Sequence, residues 1–382
     1  METPRPVNPV RSATMTQDRL RLAIVGCGDV AYRHYLPALA GLAGVVEIRA
    51  FVDPRPGAAR RAADTVREWS PNAVAYEDLE AMLRAGDAQA AIDLTPAPLH
   101  AEVTQACLAA ALDVYSEKPL AGTLADADRL IATAAERGVR LLCAPGVAVT
   151  ERTRWLSDVA ASGRFGPPTL VVAHHADPGP AAWRAYTSDP SVFYRDGVGP
   201  LIDHGVYRLH AMTALLGPAR RIQAMGAISS PTRRVRGGPL AGRTVEVTTP
   251  DHILVNMEFA SGALGQLLAS FGTPSTLAPW LEVHFPMATI SFGGESSDKD
   301  SPVSVYVDDD GPLGLEGWIQ DVSVPPDDVG VVEAGIRHFV RVLRGDTEAV
   351  LTAEHARHVL DIILRTYESI EDGRAHETTT TF

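Results

Sequence analysis

Hydrophobic and polar positions alternate along the first third of the chain in two periods. Residues 21–25 (RLAIV) form a short apolar run that reads as a strand buried on both faces. A glycine-rich turn follows, then a helical stretch through Leu42 that Pro37 should kink or divide. Residues 47–52 and 90–94 are further apolar strands, and 113–116 and 139–143 two more. Between them lie helical patterns at 60–69, 100–111 and 123–137. Thr123 can cap the last of these, with Asp126 in its first turn and Gly138 after its end. Strand and helix alternating in this way predict an α/β Rossmann domain with a doubly wound parallel sheet over residues 19–145.

The pattern then changes. Ile253, Val255, Met257 and Phe259 alternate with His252, Leu254, Asn256 and Glu258, the period-two signature of a half-buried strand. Runs at 168–176, 262–271, 280–285 and 287–292 are similar. Strand follows strand through short turns, so residues 146–382 should form an α+β domain with an open, mostly antiparallel sheet. Two helices close the chain near 331–344 and 353–370 and are placed to pack back on the first domain. Residues 229–243 and 293–302 read as loops. Residues 1–18, proline-rich and polar with no apolar core, read as a disordered tail.

Composition narrows the function. A chain of 382 residues exceeds what one core usually serves, in keeping with two domains. The formal net charge of -13 argues against nucleic acid and anionic membranes as partners. Cys27, Cys107 and Cys143 are sparse and without metal-ligand spacing, which suggests reduced thiols in a cytoplasmic protein. No metal site is expected.

The segment Gly26-Cys27-Gly28-Asp29-Val30-Ala31 fits G-x-G-x-x-A between strand and helix. The first glycine permits the tight turn and the second lets a pyrophosphate approach. Ala31 keeps helix and strand close, and the helix N-terminus favours the phosphates. Asp53 ends the second strand, where its carboxylate can accept from the adenosine ribose hydroxyls. It would repel a 2′-phosphate, so NAD is favoured over NADP, although Arg55 would soften that repulsion. Downstream, Glu117-Lys118-Pro119 follows a strand at the edge of the cleft. Proline holds Lys118 extended. A lysine beside an oxidised nicotinamide should have a depressed pKa and serve as a proton acceptor.

The order G-x-G-x-x-A, then Leu94-Thr95-Pro96 with His100, then Glu117-Lys118-Pro119, resembles the glucose–fructose oxidoreductase and inositol dehydrogenase family, Gfo/Idh/MocA. The similarity continues through residues 197–207 (GVGPLIDHGVY) and spans nearly the whole chain after residue 18. The resemblance implies hydride transfer between a nicotinamide and a sugar, cyclitol or related CH–OH or ketone carbon. It implies a cofactor site built from Gly26, Gly28, Asp29, Val30, Ala31, Asp53, Arg55, Thr95, Pro96, His100, Glu117 and Lys118. It makes Lys118 the proton-transferring lysine and sets Asp203 and Tyr207 against the substrate from the second domain. Tyr207 and His210 stand where many relatives have histidine and aspartate, as in the tyrosine-containing branch, so either Lys118 or Tyr207 is the principal acid/base. A homodimer or homotetramer would cover the open sheet. The same scaffold also suits an NAD-dependent glycoside hydrolase or a non-catalytic dinucleotide-binding sensor.

Other residues point less clearly. His174 and His175 on one strand should face opposite ways, a poor geometry for one metal. Glu354, His355 and His358 read best as a solvated helical face rather than a zinc site.

Overall fold

The structure, a computed structural model, describes residues 19–382 apart from 185, 187, 294–300, 310–313 and 321. The expected tail (1–18) and most of the loop expected at 293–302 lie outside the described residues.

Six strands build the first sheet: β1 (Leu20–Val25), β2 (Val46–Val52), β3 (Val74–Tyr76), β4 (Ala90–Asp93), β5 (Asp113–Ser116) and β6 (Leu141–Cys143). All pair in parallel, in the order β3-β2-β1-β4-β5-β6. Leu22, Ala23, Ile24 and Val25 are all buried, on alternating faces of β1, which is why the strand reads as an unbroken apolar run. Helices α1 (Leu36–Ala40), α2 (Ala58–Thr65), α3 (Leu79–Ala85), α4 (His100–Ala109) and α5 (Leu124–Arg137) join the strands. Pro37 does not break the helix after the glycine turn. A wider π turn over Ala31–Tyr35 precedes it, and Pro37 falls in the first turn of α1, where its missing N–H costs nothing. Strand order reverses between β1 and β4, so the crevice at their carboxyl ends is the binding position in this fold class.

After α6 (Glu151–Ala161), the chain lays down β7 (Leu170–Ala176), α7 (Val206–Leu216) and β8 (Ala219–Ala227). Within 229–243, expected as loop, β9 (Thr232–Arg234) pairs with β10 (Thr244–Glu246) in a small ribbon. Then come β11 (His252–Phe259), β12 (Leu264–Ser270), β13 (Leu281–Phe285), β14 (Ala288–Phe292), β15 (Val303–Asp309) and β16 (Leu315–Ile319). With β17 (His376–Glu377) they form a nine-stranded sheet, ordered β16-β15-β14-β13-β7-β12-β11-β8-β17. Only β7 and β12 run parallel. Ile253, Val255, Met257 and Phe259 face the core while Leu254 lies exposed on the other side, as the alternation requires. Each such burial contributes roughly 1.5–3 kcal/mol.

The closing helices α8 (Val331–Arg344) and α9 (Ala353–Asp372) return to the first domain. Ile336 and Phe339 of α8 join the core containing Tyr35 and Tyr115, with Phe339 and Tyr115 ring centroids 5.4 Å apart. On α9, Ala356 and Leu360 pack beneath the first sheet, whereas Val359, Ile362 and Ile363 pack beneath the second. Gly146 touches α8 so closely that an added methyl would overlap Val331 O and the Gly335 backbone.

His355 and His358 are buried, contrary to the solvated face expected for them. The His355 ring stacks on Phe382 at 4.2 Å and lies 4.8 Å from His210. His358 Nε2 accepts the Ala219 N–H at 3.0 Å and Nδ1 meets Thr380 Oγ1 at 2.9 Å. Burial pushes His355 and His338 down to about 4 and His210 well below its usual value. These rings fold neutral, while the unfolded chain takes up protons near pH 6.5. The stability they contribute is therefore complete above pH 6.5 and is lost as pH falls toward 4. Unfolding in urea should show a loss on the order of 2–4 kcal/mol between pH 7.5 and 5. Equal midpoints at the two pH values would refute it.

Candidate active site

The glycine turn is dictated by space. Gly26 has φ +95° and donates its N–H to Val52 O at 2.8 Å; a Cβ there would lie 2.6 Å from the Leu94 carbonyl. A Cβ on Gly28 would meet nothing within 4 Å, so that side of the turn is open for a pyrophosphate to approach. Ala31 is buried. The Asp29 carboxylate does not face the crevice: it pairs along the helix with Arg33 Nε at 2.9 Å, which removes the repulsion a phosphate would meet. Val30 precedes the π turn without a side-chain cap, leaving the helix start to backbone N–H groups.

Asp53 sits at the end of β2, but all its acceptor sites are taken. Oδ2 accepts from Cys27 N at 2.9 Å and from Arg55 Nη2 at 2.7 Å. Oδ1 accepts from Arg55 N and Arg55 Nε, each at 2.9 Å. A carboxylate offers about four lone-pair directions, so none remains for a ribose hydroxyl unless Arg55 moves. In the protein alone, then, Asp53 is held by Arg55 and Cys27, where the sequence led us to expect a carboxylate free to accept from the ribose. Burial pushes its carboxyl upward, but the Arg55 and Cys27 bonds outweigh that and hold it below the usual range. The group turned outward is the Arg55 guanidinium, whose side chain is 64% exposed.

Thr95 and Pro96 follow β4. Buried Asp93 accepts from Thr95 N at 3.0 Å and Oγ1 at 2.6 Å, and from Thr104 Oγ1 at 3.0 Å, fixing this rim of the crevice. His100 faces no cofactor space. It is 1% exposed, with Nδ1 2.7 Å from Pro119 O and Nε2 2.8 Å from Thr95 O. It braces the turn after β4 against the turn after β5. Glu117 is likewise a scaffold: Oε1 accepts from Tyr35 Oη at 2.6 Å and Oε2 from Lys118 N at 2.9 Å.

Lys118 follows β5, one strand from the crevice, through a cis peptide to Pro119. Its Nζ donates to Asp203 O at 2.6 Å and lies 3.3 Å from Asp203 Oδ1 and 5.3 Å from the Tyr207 ring centre. Asp203 and Tyr207 arrive on the turn and first residues of α7, so the two domains meet at these three side chains. The sequence led us to expect a depressed lysine pKa. Burial does push it down, but Asp203, Tyr207 and Glu117 together outweigh burial and raise it, so in the protein alone Lys118 is a firmly held ammonium. Burial pushes the Tyr207 phenol up to about 12, so the ring carries its proton.

Sequence reasoning missed Asp177 and His204. His174 turns to Pro279 O at 2.9 Å, while His175 turns the other way, to Asp177 Oδ2 at 3.4 Å. The His204 ring lies 4.1 Å from the His175 ring and 5.3 Å from that of Trp183. The Asp-His pair at 203–204 is the signal that was available. Tyr194 is fully buried and accepts from Ala181 N at 3.1 Å, so it packs the loop rather than facing the site. No helix among the described residues is long and apolar enough to cross a membrane.

A dinucleotide turn at the switch point, with a half-buried ammonium of the first domain meeting a carboxylate and a phenol of the second, defines a nicotinamide-dependent oxidoreductase. Two family profiles match: an oxidoreductase family with NAD-binding Rossmann fold over residues 20–144, and the GFO/IDH/MocA C-terminal domain over residues 153–291. The chain belongs to the Gfo/Idh/MocA family. It is similar to a dTDP-3,4-didehydro-2,6-dideoxy-alpha-D-glucose 3-reductase of Streptomyces violaceoruber, 31% identical over 269 residues, covering 68% of this chain and 73% of the relative. An inositol 2-dehydrogenase of Burkholderia multivorans is 28% identical over 174 residues, covering 45% and 50%. In fold, an NAD-binding oxidoreductase from Klebsiella pneumoniae superposes with TM-score 0.78 at 21% identity, covering 95% of this chain and 100% of that one. The WlbA dehydrogenase from Bordetella pertussis, solved with NADH and UDP-GlcNAcA, superposes with TM-score 0.70 at 19% identity, covering 94% and 99%.

Proposed function

We propose that this protein interconverts a ketone and a secondary alcohol on a sugar or cyclitol, and that it is built to run as a reductase. The observation that carries this reading is the state of Lys118. Held by Asp203 and facing the Tyr207 ring, Lys118 is protonated at neutral pH and so stands as a proton donor rather than a base. It is a weak acid toward the ketone itself, but the alkoxide that hydride addition creates is basic enough to take its proton. Two of its contacts go to Asp203, and its third proton is available to a substrate oxygen. Tyr207, protonated and beside it, can donate to the same oxygen. The dinucleotide, when bound, supplies the hydride. As hydride adds to the carbonyl carbon, the C=O π electrons move to oxygen, which takes the proton of Lys118. The deoxy-keto-sugar reductase relative supports a sugar carbonyl as the reacting group.

The test is absorbance at 340 nm with a panel of keto sugars, cyclitols and nucleotide-linked keto sugars, with the alcohol panel run in reverse. The reading expects turnover that is faster with ketone and reduced cofactor. Aglycone release without net cofactor change, or dinucleotide binding without turnover on any panel member, would replace it with the hydrolase or sensor reading.

Cofactor choice follows from Asp53. With its carboxylate saturated and a guanidinium outermost, NADP(H) should be accepted beside NAD(H). Arg55→Ala should free Asp53 for the ribose and shift the ratio of kcat/KM toward NAD(H) by about 10-fold, roughly 1.4 kcal/mol. An unchanged ratio would refute it.

A further inference from the structure

Beside the catalytic set lies a second polar cluster that the reaction as described does not use. Asp203 Oδ2 and His204 Nδ1 face one another at 3.6 Å. Neither atom has a hydrogen-bond partner among the described residues, and both are shielded from solvent. His175 Nε2 shares that condition, 3.4 Å from Asp177 Oδ2. Ring nitrogens of His175 and His204 and a carboxylate oxygen of Asp177 all lie within 4.8 Å of one another.

Three uses suit such a cluster, and chemistry separates them. A metal ion would need the lone pair of His175 Nε2. The other nitrogen, Nδ1, faces Arg208 Nη2 at 3.4 Å, and a guanidinium only donates. A neutral imidazole cannot offer lone pairs on both nitrogens, and a metal-bound histidine normally donates from its second nitrogen. The tautomer that Arg208 selects places a proton on Nε2, pointing into the cluster. A second substrate hydroxyl would need exposed partners, whereas Asp203 Oδ2, His204 Nδ1 and His175 Nε2 are closed off from solvent. An internal path for protons needs neither exposure nor an ion. It needs polar groups in series, ending at the surface.

We propose that His204 relays protons between the Lys118–Asp203 pair and Asp177 at the end of β7. The inference rests on Lys118 acting as the proton donor. Each reduction leaves Lys118 as a neutral amine on a side chain that is only 14% exposed before any dinucleotide or substrate covers the crevice. The Asp203 carboxylate first takes the Nδ1 proton of His204 on Oδ2 and then, as a carboxylic acid, turns to deliver that proton to Lys118 Nζ. The other nitrogen of His204 takes a proton from Asp177, directly or through one water, and Asp177 takes one from solvent. One proton moves from water to the product oxygen; Asp203 and Asp177 return to carboxylates, and His204 is left with its proton on the other nitrogen, to be reset by a ring flip or tautomer exchange before the next turnover. Asp177 is suited to the outer end: its side chain is 26% exposed, and Oδ1 is fixed by the Gly179 N–H at 2.7 Å. His175 is a positioning residue, its Nε2 proton directed at Asp177. Packing against Trp183, Phe271 and Tyr207, at 5.3, 6.0 and 6.3 Å, holds the His204 ring in line.

The sequence offers an unusually clean test. The chain contains only two lysines, Lys118 and Lys299. Selective 15N-lysine labelling of the full-length protein gives two ammonium signals, and Lys118→Arg identifies the one of interest. The exchange of its Nζ protons with water is then measured without substrate. His204→Phe, which keeps an aromatic ring in place, should slow that exchange at least about 10-fold, and Asp177→Asn should slow it too. A merely structural role predicts the opposite sign, since loosened packing admits water and speeds exchange. Unchanged or faster exchange in either folded variant would overturn the relay. Because no turnover is involved, the 340 nm assay can fail without touching this result, and the reverse.

Discussion

Lys118→Met should lower kcat/KM for carbonyl reduction by about 10³–10⁴-fold while leaving dinucleotide affinity within a few-fold. The size follows from the geometry. Among the described residues Lys118 Nζ is the one lysine or arginine nitrogen touching Asp203, 2.6 Å from its carbonyl, and methionine replaces the unbranched stem of the side chain without its terminal charge or proton. Tyr207 remains as a donor, but as a neutral phenol it brings no positive charge to the developing alkoxide and should sustain only residual turnover. Tyr207→Phe should then cost less, about 10–100-fold. Calorimetry with the dinucleotide separates this from misfolding. If Lys118→Met kept full activity and Tyr207→Phe lost it, the phenol would be the principal acid, the alternative that the sequence left open.

The largest effect on stability should come from Gly146→Ala. The added methyl would overlap backbone of α8 on a surface that cannot retreat, because Gly335 on the facing turn is itself pressed against the Tyr115 hydroxyl. Overpacking of this kind typically costs about 1–3 kcal/mol, and a backbone neighbour puts this site at or beyond the upper end. Thermal unfolding should show a clear drop in Tm, with much of the protein insoluble on expression. Gly44→Ala, where an added Cβ meets nothing within 4 Å, is the control and should change little. A native Tm in Gly146→Ala would mean that α8 can slide away from the first domain.

Much of this architecture can be read from the residues because its signals are local. The buried run at β1, the turn beginning at Gly26 and the aspartate closing β2 occupy one stretch of chain, and each has a steric reason to be what it is. The alternation at 252–259 is the pleat itself. The features that escaped are all relations across long separations. Thr213 meets His355 at 2.6 Å across the domain, and that contact makes an apparently solvated helix face a buried one. His204 gains its meaning from Asp177 and His175 on another strand. The sign of the Lys118 shift depends on Asp203, 85 positions away. Arg55 and Asp53 are close in sequence, yet only the geometry shows that one arginine fills the acceptor sites of the other.

The return of α8 and α9 bears on how the protein is made. On the ribosome, β1 through β6 emerge first, and their sheet can begin to pair. One face of that sheet, however, is sealed by Ile336, Phe339 and Val340, and its far edge is tied down where Cys143 N meets Leu351 O at 3.1 Å. Those residues leave the exit tunnel only after eight of the nine strands of the second sheet have been synthesised. The nascent first domain must therefore wait, with apolar surface uncovered, for nearly the entire chain. This order favours chaperone occupancy during synthesis, and it makes the last fifty residues the step that commits the protein to its native state.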